Sequence, residues 1–447
     1  MIEKRQYSVG IYTLGCKVSL YESEAVSEAF SEAGFTVLPF DEVCDVYVIN
    51  TCTVTAESDA KSRKYIRRAV RKNPEAAVIV MGCYSQRAPE EAARIPGVSA
   101  VIGTADKLSA VRLAREILDR RGAGERDILP IVSAGSLEGA EFEEMSIKRA
   151  PRTRAYVKIE DGCDCRCTYC AISAARGPVR SRRPEQVIDE VKTLYGGGTR
   201  EIVLTGIETG SYGADFDEKY SLSDLVSAID GLGLDLRIRL GSMAPELMGE
   251  KFAMGISGLS VMVPHFHISM QSGSDAVLRG MKRRYNRAQA LANIQRIRGL
   301  MPGVMFTADL MVGFPGESEE DFLDTVNFVR EAGLLDAHVF AYSKREGTPA
   351  AEYADQVDEC VKRQRSARLS AAVREVQSEI LSEVVRRGEA LSCIFESRSG
   401  GVYTAHSDSY IEVRAHSDRD IRGEKLLVIP ERHEDGIIYG KVLEKTT

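Results

Sequence analysis

The sequence predicts an α/β protein in three parts: an N-terminal open parallel α/β sheet, a central partial (β/α)6 TIM-like barrel and a small C-terminal β-barrel. Short apolar runs alternate with helical patterns twice along the chain, which is typical of parallel sheets joined by crossover helices. A tail of alternating runs broken by Gly and Asp predicts the small barrel. The chain of 447 residues is also longer than a single core usually grows, so two or three domains are expected.

Residues 1–140 form the first predicted domain. Helical patterns separate three strand-like runs, and together they predict an open parallel sheet. The runs are SVGIYT at 8–13, VYVINT at 46–51 and AVIVMG at 77–82. Ser19 and Glu22 match a capping box that would start the first helix, and Gly34 would end it.

The second predicted domain covers residues 150–380, after a linker rich in Gly, Ser and charged residues. Six strand candidates with helical patterns between them predict a parallel, partly closed barrel. They are AYVKI at 155, EIVLTG at 201, LRIRLGS at 236, HFHISM at 265, FTADLMVG at 306 and AHVFAYS at 337. A polar helical stretch then leads to the third predicted domain, the β-barrel of residues 385–447.

Composition excludes several classes of protein. Apolar residues make up 44% and charged residues 28%, which is typical of a globular chain rather than a disordered or fibrous one. No apolar run approaches the roughly 20 residues of a membrane-spanning helix, and the first residues lack a secretory signal. We therefore expect a cytoplasmic protein with no membrane partner. In that reducing compartment, ten cysteines are more consistent with metal ligands, catalytic groups or buried thiols than with disulfides.

A C-x3-C-x2-C spacing follows the first strand of the central domain. Cys163, Cys167 and Cys170 can hold three irons of a 4Fe-4S cluster and leave the fourth iron open for chemistry. The alternatives are a zinc knuckle, with Cys165 as the fourth ligand, and a set of buried thiols. The position of the spacing directly after a barrel strand favours the iron–sulfur cluster.

Three further cysteines, Cys16, Cys52 and Cys83, each follow the end of a strand-like run in the first domain. The loops beyond the carboxyl ends of parallel strands converge on one crevice, so three thiols there can share a second 4Fe-4S cluster. Any one of them alone would be interpreted as a buried structural thiol. Their coincidence favours the cluster.

The motifs around these cysteines resemble a known family. The C-x3-C-x2-C loop, with Tyr169 before its last cysteine, resembles the radical S-adenosylmethionine superfamily. The other motifs narrow the resemblance to the methylthiotransferase family and extend it to a tail similar to the TRAM domain, a small RNA-binding β-barrel. They are YTLGCKVSLYESE, INTCTVT, VMGCYSQ, DGCDCRCTYCAI, ARGPVRSR, SMQSGS, DLMVGFPGESEEDF and VFAYSKREGTPAA. The sequence departs from the family pattern at Ser19, Cys165 and Ala244.

Within this family, CTVTAESDAKSRKYIRR resembles the type that inserts a methylthio group at C2 of N6-threonylcarbamoyladenosine, next to the anticodon of tRNA. Sibling types act on isopentenyladenosine in tRNA or on an aspartate of a ribosomal protein, and both remain open. So do a radical enzyme with purely structural N-terminal cysteines and a non-catalytic, zinc-dependent RNA-binding protein.

The resemblance also implies the chemistry. S-adenosylmethionine would bind the open iron of the cluster on Cys163, Cys167 and Cys170, and its cleavage would give a radical that removes hydrogen from C2 of the adenine. The second cluster would provide sulfur, and a second S-adenosylmethionine the methyl group. All six cysteines are catalytic in this scheme. An electron donor of flavodoxin or ferredoxin type and a sulfur donor are expected partners.

The family's cofactor-holding positions fall at predicted strand ends in this sequence. Gly206 would permit close approach of the ligand, Gln271 would hydrogen-bond the ribose, and Glu208 would accept from the methionine ammonium group. Turn or capping duty is the alternative for each position, and it is equally favoured for Glu208 and Ser242. The complete set is Tyr169, Thr205, Gly206, Glu208, Ser242, Gln271 and Asp309.

A basic helix is predicted just after Cys52. Beside a nucleotide-modifying site, it favours contact with the tRNA anticodon stem-loop, because basic clusters neutralise phosphates. Its candidate RNA-binding residues are Lys61, Arg63, Lys64, Arg67, Arg68 and Arg71. Basic runs at 148–154, 175–183 and 282–287 add to this predicted surface, although the formal net charge is -7. A merely solvated surface is the alternative.

Overall fold

A computed structural model of the chain describes residues 6–125 and 129–443. The chain divides into two compact units. The first is made of Met1–Ile147, Tyr156–Arg182 and Ser343–Ala351, and the second of Lys148–Ala155, Arg183–Tyr342 and Glu352–Thr447. Both sets of cysteines therefore belong to the first unit. The division into three domains remains a prediction.

Within the described residues, the first unit contains a six-stranded parallel sheet. Its strands are β1 Ser8–Thr13, β2 Thr36–Leu38, β3 Val46–Thr51, β4 Ala77–Gly82, β5 Val98–Ile102 and β6 Ile131–Ser133. Neighbours pair in the order β2-β1-β3-β4-β5-β6, always in parallel. The order reverses between β1 and β3, so their carboxyl ends form the topological switch point of the sheet.

Helices cover both faces of this sheet. They are α1 Lys17–Glu32, α2 Ala56–Lys72, α3 Cys83–Arg87, α4 Pro89–Ala93 and α5 Ser109–Gly122. One core contains Phe30 of α1 and Leu113 of α5, and the other contains Ile66 of α2. Because β3 and β4 lie between these cores, every one of their residues is buried, which explains their unbroken apolar sequences.

The parallel sheet is confirmed, and β1, β3 and β4 are the three strands that the sequence predicts. The sequence does not predict β2, β5 and β6. Strands β2 and β6 are three residues long, too short to show a period. In addition, β6 lies in the stretch whose Gly, Ser and charged residues predict a linker.

The capping box predicted at Ser19 and Glu22 is wrong. Helix α1 begins at Lys17 with Cys16 as its N-cap, so both residues lie inside the helix and are buried. A Ser-x-x-Glu pattern can occur on any turn of a helix, and the sequence alone does not distinguish the first turn from the second. Gly34, with φ +85°, does follow the end of the helix.

The remaining elements of the first unit surround the C-x3-C-x2-C loop. Strand β7, Arg154–Lys158, crosses from the second unit into the first, and β8, Glu160–Asp161, follows it. The loop then leads to α6, Ile172–Arg176, and to β9, Arg180–Ser181, which pairs antiparallel with β8. The short ladder between β8 and β9 closes the base of this loop.

The second unit contains the parallel strands of the central region. They are β10 Glu201–Thr205, β11 Arg237–Leu240, β12 His265–Gln271, β13 Met305–Val312 and β14 Asp336–Ala341. β10 pairs with β11, and β12, β13 and β14 pair in that order. A parallel bridge between Met243 and Ile268 continues the arrangement from β11 to β12. All five strands occur where the sequence predicts them, and the sixth candidate, AYVKI at 155, is β7.

Helices alternate with these strands. They are α7 Pro184–Gly196, α8 Leu222–Asp230, α9 Glu250–Ile256, α10 Asp275–Gly280, α11 Arg287–Leu300, α12 Glu319–Ala332 and α13 Glu359–Arg387. Throughout residues 6–125 and 129–443, no helix combines the length and the apolar character that crossing a membrane requires. The alternation confirms the predicted α/β class.

A closed β-barrel follows α13, as the sequence predicts. Its strands are β15 Leu391–Ser399, β16 Val402–Ser407, β17 Glu412–His416, β18 Lys425–Glu434 and β19 Ile437–Val442. They pair in the order β15-β16-β17-β19-β18, and antiparallel pairing of β15 with β18 closes the barrel. Phe395, Tyr403 and Val413 fill its core.

Within the second unit, Tyr410 connects this barrel to the parallel strands. Its ring stacks on His265 at 4.6 Å and on His406 at 5.0 Å between ring centroids. The Arg239 guanidinium lies 4.9 Å from the Tyr410 centroid, so a cation–π contact adds to the stacking. These contacts give the C-terminal barrel a defined place on the β12 side of the unit.

Gly82 occupies a backbone position in which a side chain would collide. Its φ is +104°, and a Cβ there would lie 2.5 Å from Asn50 Oδ1 and 2.7 Å from Thr51 O. Gly34 has a similar φ of +85°, but its Cβ would meet nothing within 4 Å. We expect Gly34→Ala to lower the free energy of unfolding by about 1–2 kcal/mol, the cost of the left-handed conformation alone. Gly82→Ala should lower it by at least about 1 kcal/mol more, because of the collision.

Chemical denaturation followed by far-UV circular dichroism measures both losses. Equal destabilisation by the two substitutions would contradict the close approach of β3 to Gly82.

Candidate active site

Three cysteines lie at the carboxyl ends of three adjacent strands in the first unit. Cys16 caps α1 after β1, Cys52 directly follows β3, and Cys83 begins α3 after β4. Because these strands are neighbours, the sheet brings together thiols from distant parts of the sequence, beside its switch point. This is the placement that a shared ligand requires.

The three thiols influence one another. Cys16 is exposed, whereas Cys52 and Cys83 are buried. Burial raises the pKa of Cys52 and raises the pKa of Cys83 to about 11, and the nearby Cys16 thiol contributes to both increases. Cys16 is therefore close enough to both of the other thiols to affect their ionisation. Gly15 precedes Cys16 with a φ of +119°, and a Cβ on it would lie 2.8 Å from Ser19 Oγ, so a side chain there would strain this loop.

The C-x3-C-x2-C loop connects β8 to α6 in the same unit. Cys167 is buried, and Cys163 and Cys170 are partly buried. The backbone N–H of Cys163 donates to Gly177 O at 3.0 Å, and that of Ile172 donates to Cys170 Sγ at 3.3 Å. An N–H directed at sulfur stabilises negative charge there, so the loop suits ligation of a metal.

The chemistry of the donors, rather than a preformed cage, makes both sets fit iron–sulfur clusters. Across residues 6–125 and 129–443, no group of three or more His, Cys, Asp or Glu side chains has the geometry of a metal site. Each set nevertheless supplies three thiols, which are the ligands that such clusters require. Ligation by these residues is therefore a proposal that follows from donor type and placement.

A network of buried ion pairs lies next to the cysteines in the first unit. Glu22 has no exposed surface and accepts from Arg176 Nη1 at 2.5 Å. It also pairs with Lys158 Nζ at 2.9 Å and Lys107 Nζ at 3.1 Å. Asp161 pairs with Lys158 at 2.5 Å and with Arg176 at 3.1 Å. Charges this deeply buried are tolerated only when each has partners.

This network determines how its carboxyls ionise. Burial favours the neutral form of Glu22, but the attraction of Arg176 and Lys107 outweighs it and holds the pKa of this carboxyl well below its ordinary value. Burial opposes ionisation of Asp161 too, yet Arg176 and Lys158 lower the pKa of Asp161 to about 2. Both groups are therefore anions at neutral pH.

The sequence interpretation did not identify these residues. It places Arg176, Arg180 and Arg182 in a basic run that would meet RNA, but all three side chains are buried. For these three residues the prediction is wrong, because side chains this deeply buried cannot reach a phosphate, whereas Arg183 at the end of the run is exposed. These arginines lie in the ARGPVRSR motif, which is part of the family resemblance and could have drawn attention to them. The spacing of the arginines does not show what they contact.

Two arginines hold the segment after Cys52. Arg345 Nη2 donates to Thr53 Oγ1 at 2.9 Å and to Asp59 Oδ2 at 2.5 Å. Arg87 Nη1 donates to the same threonine at 3.3 Å. Arg345 lies in the VFAYSKREGTPAA motif, which could have drawn attention to it. These contacts fix the loop that carries Cys52.

Four predicted cofactor positions lie at strand ends in the second unit. Thr205 ends β10, Gly206 follows it, Ser242 follows β11, and Gln271 ends β12. An irregular register between β12 and β13 accompanies the left-handed φ of +65° at Gln271. Its Oε1 is buried and meets no donor among the described residues. A bound ligand that donates a hydrogen bond would remove this cost.

The other predicted cofactor positions differ in their surroundings. Glu208 Oε1 accepts from the backbone N–H of Ala244 at 2.9 Å, which is the turn role weighed against ligand binding. Asp309 is not at a strand end as expected, because β13 continues to Val312. Its carboxylate lies 3.2 Å from His267 Nε2. Tyr169 lies in the C-x3-C-x2-C loop of the first unit.

The predicted basic helix is α2, which starts four residues after Cys52. Its buried side chains are Ser62, Ile66 and Ala69. Its exposed basic residues, here called the α2 stripe, are Lys61, Lys64, Arg67 and Arg71. Carboxylates pair with three of the six predicted RNA-binding residues: Glu57 with Lys61, Glu91 with Arg63 and Asp41 with Arg68. In the part of the chain that the structure describes, no carboxylate pairs with Lys64, Arg67 or Arg71.

Comparison with known proteins identifies the class. Residues 8–103 match the Uncharacterized protein family UPF0004, and residues 157–329 match the Radical SAM superfamily. The first match contains the three N-terminal cysteines, and the second contains the C-x3-C-x2-C loop and the parallel strands up to β13. The chain is therefore a radical S-adenosylmethionine enzyme.

Within that class, the chain belongs to the methylthiotransferase family. It is 39% identical to the threonylcarbamoyladenosine tRNA methylthiotransferase MtaB of Bacillus subtilis, over 93% of this chain and 92% of that protein. Identity to the MtaB of Thermotoga maritima is 36%, over 80% of each chain. The ribosomal protein uS12 methylthiotransferase RimO of Pelotomaculum thermopropionicum is 32% identical over 90% of both chains. The family predicted from the motifs is confirmed.

A solved structure shares the fold. The radical S-adenosylmethionine methyltransferase TsrM of Kitasatospora setae, solved with cobalamin and a [4Fe-4S] cluster, matches with a TM-score of 0.57. The match covers 91% of this chain and 82% of that one. Sequence identity is only 15%, so the likeness concerns the fold alone.

Glu22→Gln should destabilise the first unit strongly. The substitution leaves Arg176, Lys158 and Lys107 buried with one carboxylate fewer, and breaking a buried pair typically costs about 3–5 kcal/mol. Urea denaturation followed by far-UV circular dichroism suits the measurement, since the sequence has no tryptophan. Glu57→Gln removes the exposed partner of Lys61 and is the control, with a midpoint expected at the wild-type value. Equal denaturation midpoints for Glu22→Gln and Glu57→Gln would exclude a stabilising role of the ion-pair network.

The same network predicts sensitivity to acid. The pKa values of Glu22 and Asp161 are lower in the folded chain than the ordinary values near 4 of an unfolded chain. Their stabilising contribution is therefore complete above about pH 5 and declines as the pH falls toward 2. The free energy of unfolding of the wild type should decrease over this range, and Glu22→Gln should show a shallower decrease. Parallel pH profiles would argue against the lowered pKa of Glu22.

Proposed function

We propose that this enzyme inserts a methylthio group at C2 of N6-threonylcarbamoyladenosine next to the anticodon of tRNA, giving 2-methylthio-N6-threonylcarbamoyladenosine. The observation that carries the proposal is the 39% identity, over 93% of the chain, to the Bacillus subtilis protein named for this substrate. The Thermotoga maritima relative has the same name. The two cysteine sets and the α2 stripe are the features that a redox modification of RNA needs.

Two 4Fe-4S clusters would serve the reaction, each on three cysteines. The first set is Cys163, Cys167 and Cys170, and the second is Cys16, Cys52 and Cys83. With S-adenosylmethionine, the bound clusters would supply the electron, the radical and the sulfur that convert an inert C–H bond into a C–S bond. The first unit contributes the loops that hold these sulfur ligands, and it buries three of the six, Cys52, Cys83 and Cys167.

The second unit would bind S-adenosylmethionine through its strand ends. Gln271 Oε1 would accept a hydrogen bond from a ribose hydroxyl, which satisfies its buried acceptor. Gly206 leaves room for the ligand beyond β10. Glu208 shapes the adjacent turn through the N–H of Ala244. The other proposed contacts are Tyr169, Thr205, Ser242 and Asp309.

The α2 stripe would bind the phosphates of the tRNA anticodon stem-loop. Its side chains are exposed on α2, which begins four residues after Cys52. An RNA backbone bound to this helix would therefore be close to Cys52, a proposed ligand of the second cluster. An electron donor of flavodoxin or ferredoxin type and a sulfur donor complete the proposed set of partners. Because the substrate is tRNA, we place the reaction in the cytoplasm.

Anaerobic reconstitution of the full chain tests this function. The protein is incubated with S-adenosylmethionine, dithionite and tRNA that bears threonylcarbamoyladenosine, and the digested nucleosides are analysed by mass spectrometry. A mass gain of one methylthio group on that nucleoside is expected. Isopentenyladenosine tRNA and ribosomal protein uS12 are run in parallel, and modification of either one in place of threonylcarbamoyladenosine would reject the proposed substrate.

Cys52→Ala should remove the second cluster and spare the first. Iron and sulfide are expected to fall from about eight to about four of each per chain. Formation of 5′-deoxyadenosine should continue, while methylthio insertion falls below detection. Cys360→Ala, which removes an exposed thiol on α13, is the matched control and should change neither. Retention of about eight irons in Cys52→Ala would show that Cys52 is not a ligand.

Removal of charge from the α2 stripe should weaken tRNA binding. Arg67→Ala is expected to lower affinity and to reduce the slope of log K against log salt concentration by about 1, the loss of one phosphate contact. The triple variant with Lys64, Arg67 and Arg71 changed to Ala should reduce the slope of log K against log salt concentration by about 3. Arg112→Ala, an exposed arginine on α5 of the same unit, is the control. Equal slopes for Arg67→Ala and Arg112→Ala would place the RNA elsewhere.

A further inference from the structure

One arginine of the first unit contacts a sulfur atom of the N-terminal cysteine set. The Nε–H of Arg176 donates to Cys83 Sγ at 3.1 Å. Arg176 has no exposed surface, and it ends α6, the helix that follows the C-x3-C-x2-C loop. A residue from one cysteine loop therefore touches a proposed ligand on the other.

Carboxylates fix the direction of this N–H. Arg176 Nη1 donates to Glu22 Oε1 at 2.5 Å and to Asp161 Oδ2 at 3.1 Å, and Nη2 donates to Glu22 Oε2 at 3.2 Å. A planar guanidinium held at both terminal nitrogens cannot turn without breaking these bonds. Its remaining N–H is consequently held toward Cys83.

We propose that Arg176 is a positioning residue that raises the reduction potential of the second cluster through its hydrogen bond to the Cys83 sulfur. The inference rests on the proposed ligation of that cluster by Cys16, Cys52 and Cys83. Reduction adds one electron to the cluster and makes it more negative. A buried cation and an N–H directed at sulfur both stabilise added negative charge, and both are among the known determinants of cluster potential.

Arg176 reaches Cys83 as part of the ion-pair network of the first unit. In the pairs that join the described residues of the network, four cations face three carboxylates. The cations are Lys107, Lys158, Arg176 and Arg180, and the carboxylates are Glu22, Glu143 and Asp161. Arg176 is the member of this network that touches a sulfur, at Cys83 Sγ.

The test measures the second cluster by itself. In the full chain with Cys163, Cys167 and Cys170 changed to Ala, only the second cluster can assemble, and dithionite reduces it by one electron in a titration followed by EPR. In this background, Arg176→Lys keeps the charge and removes the Nε–H, while Arg176→Gln removes both. The potential should fall in the order Arg, Lys, Gln. At a fixed ambient potential, the reduced-to-oxidised ratio should be at least about tenfold lower in Arg176→Gln, equivalent to about 59 mV for a one-electron couple.

Arg180→Lys is the matched control. Arg180 pairs with the same Asp161 at 3.7 Å and donates to the carbonyls of Arg176 and Pro178, and among the described residues it contacts no sulfur. Its variant should have the potential of the background. A second readout does not depend on the folding of any Arg176 variant: ¹⁵N-arginine labelling of the background should give a weak ¹⁵N coupling to the reduced cluster in pulsed EPR. Arg180→Lys should retain this coupling, and Arg176→Lys should lose it.

The outcomes distinguish the role of Arg176 from the existence of the second cluster. Unchanged potentials in Arg176→Lys and Arg176→Gln, or no ¹⁵N coupling in the background protein, would overturn the role of Arg176 and leave the second cluster in place. A background protein that binds no iron would overturn the second cluster itself, and the role of Arg176 with it.

Discussion

The stability of the first unit depends on the ion pairs that the buried carboxylate of Glu22 forms with Lys107, Lys158 and Arg176. Its cationic partners come from the loop before α5, from the end of β7 and from the end of α6, while Glu22 itself lies on α1. Removing each of these charges from water costs several kcal/mol, and only the complete set of pairs offsets that cost. The N-terminal sheet and the segment with the C-x3-C-x2-C loop are therefore joined by one cooperative group of ion pairs.

The topology of the N-terminal sheet determines where the three N-terminal cysteines lie. The strand order reverses between β1 and β3, and the thiols of Cys16, Cys52 and Cys83 follow β1, β3 and β4. Cys16 is the N-cap of α1, and Cys83 is the first residue of α3. Topology thus brings together three sulfurs that are far apart in the sequence. Arg176 adds a donor to one of them from outside the sheet.

Arginine serves two purposes in this chain, and burial is what separates them. On α2 the cationic groups remain in water and are available to an anionic partner. In the ARGPVRSR motif, Arg176, Arg180 and Arg182 are buried and serve the protein itself. Both stretches look alike in sequence, since each is a short run of Arg or Lys at close spacing. The difference arises because one stretch is covered by the rest of the first unit and the other lies on its surface.

Local patterns in the sequence predict the α/β class, the family, the strands β1, β3, β4, β7 and β10 to β14, and the cysteines that are candidate ligands. These features are local, because apolar periodicity and ligand spacing are written in neighbouring residues. Three facts become visible in the folded chain: Glu22 is the centre of an ion-pair network, Asp309 lies within β13, and Arg176 reaches Cys83. Such facts depend on which distant segments meet and on which charges lose their water, and short-range spacing contains neither.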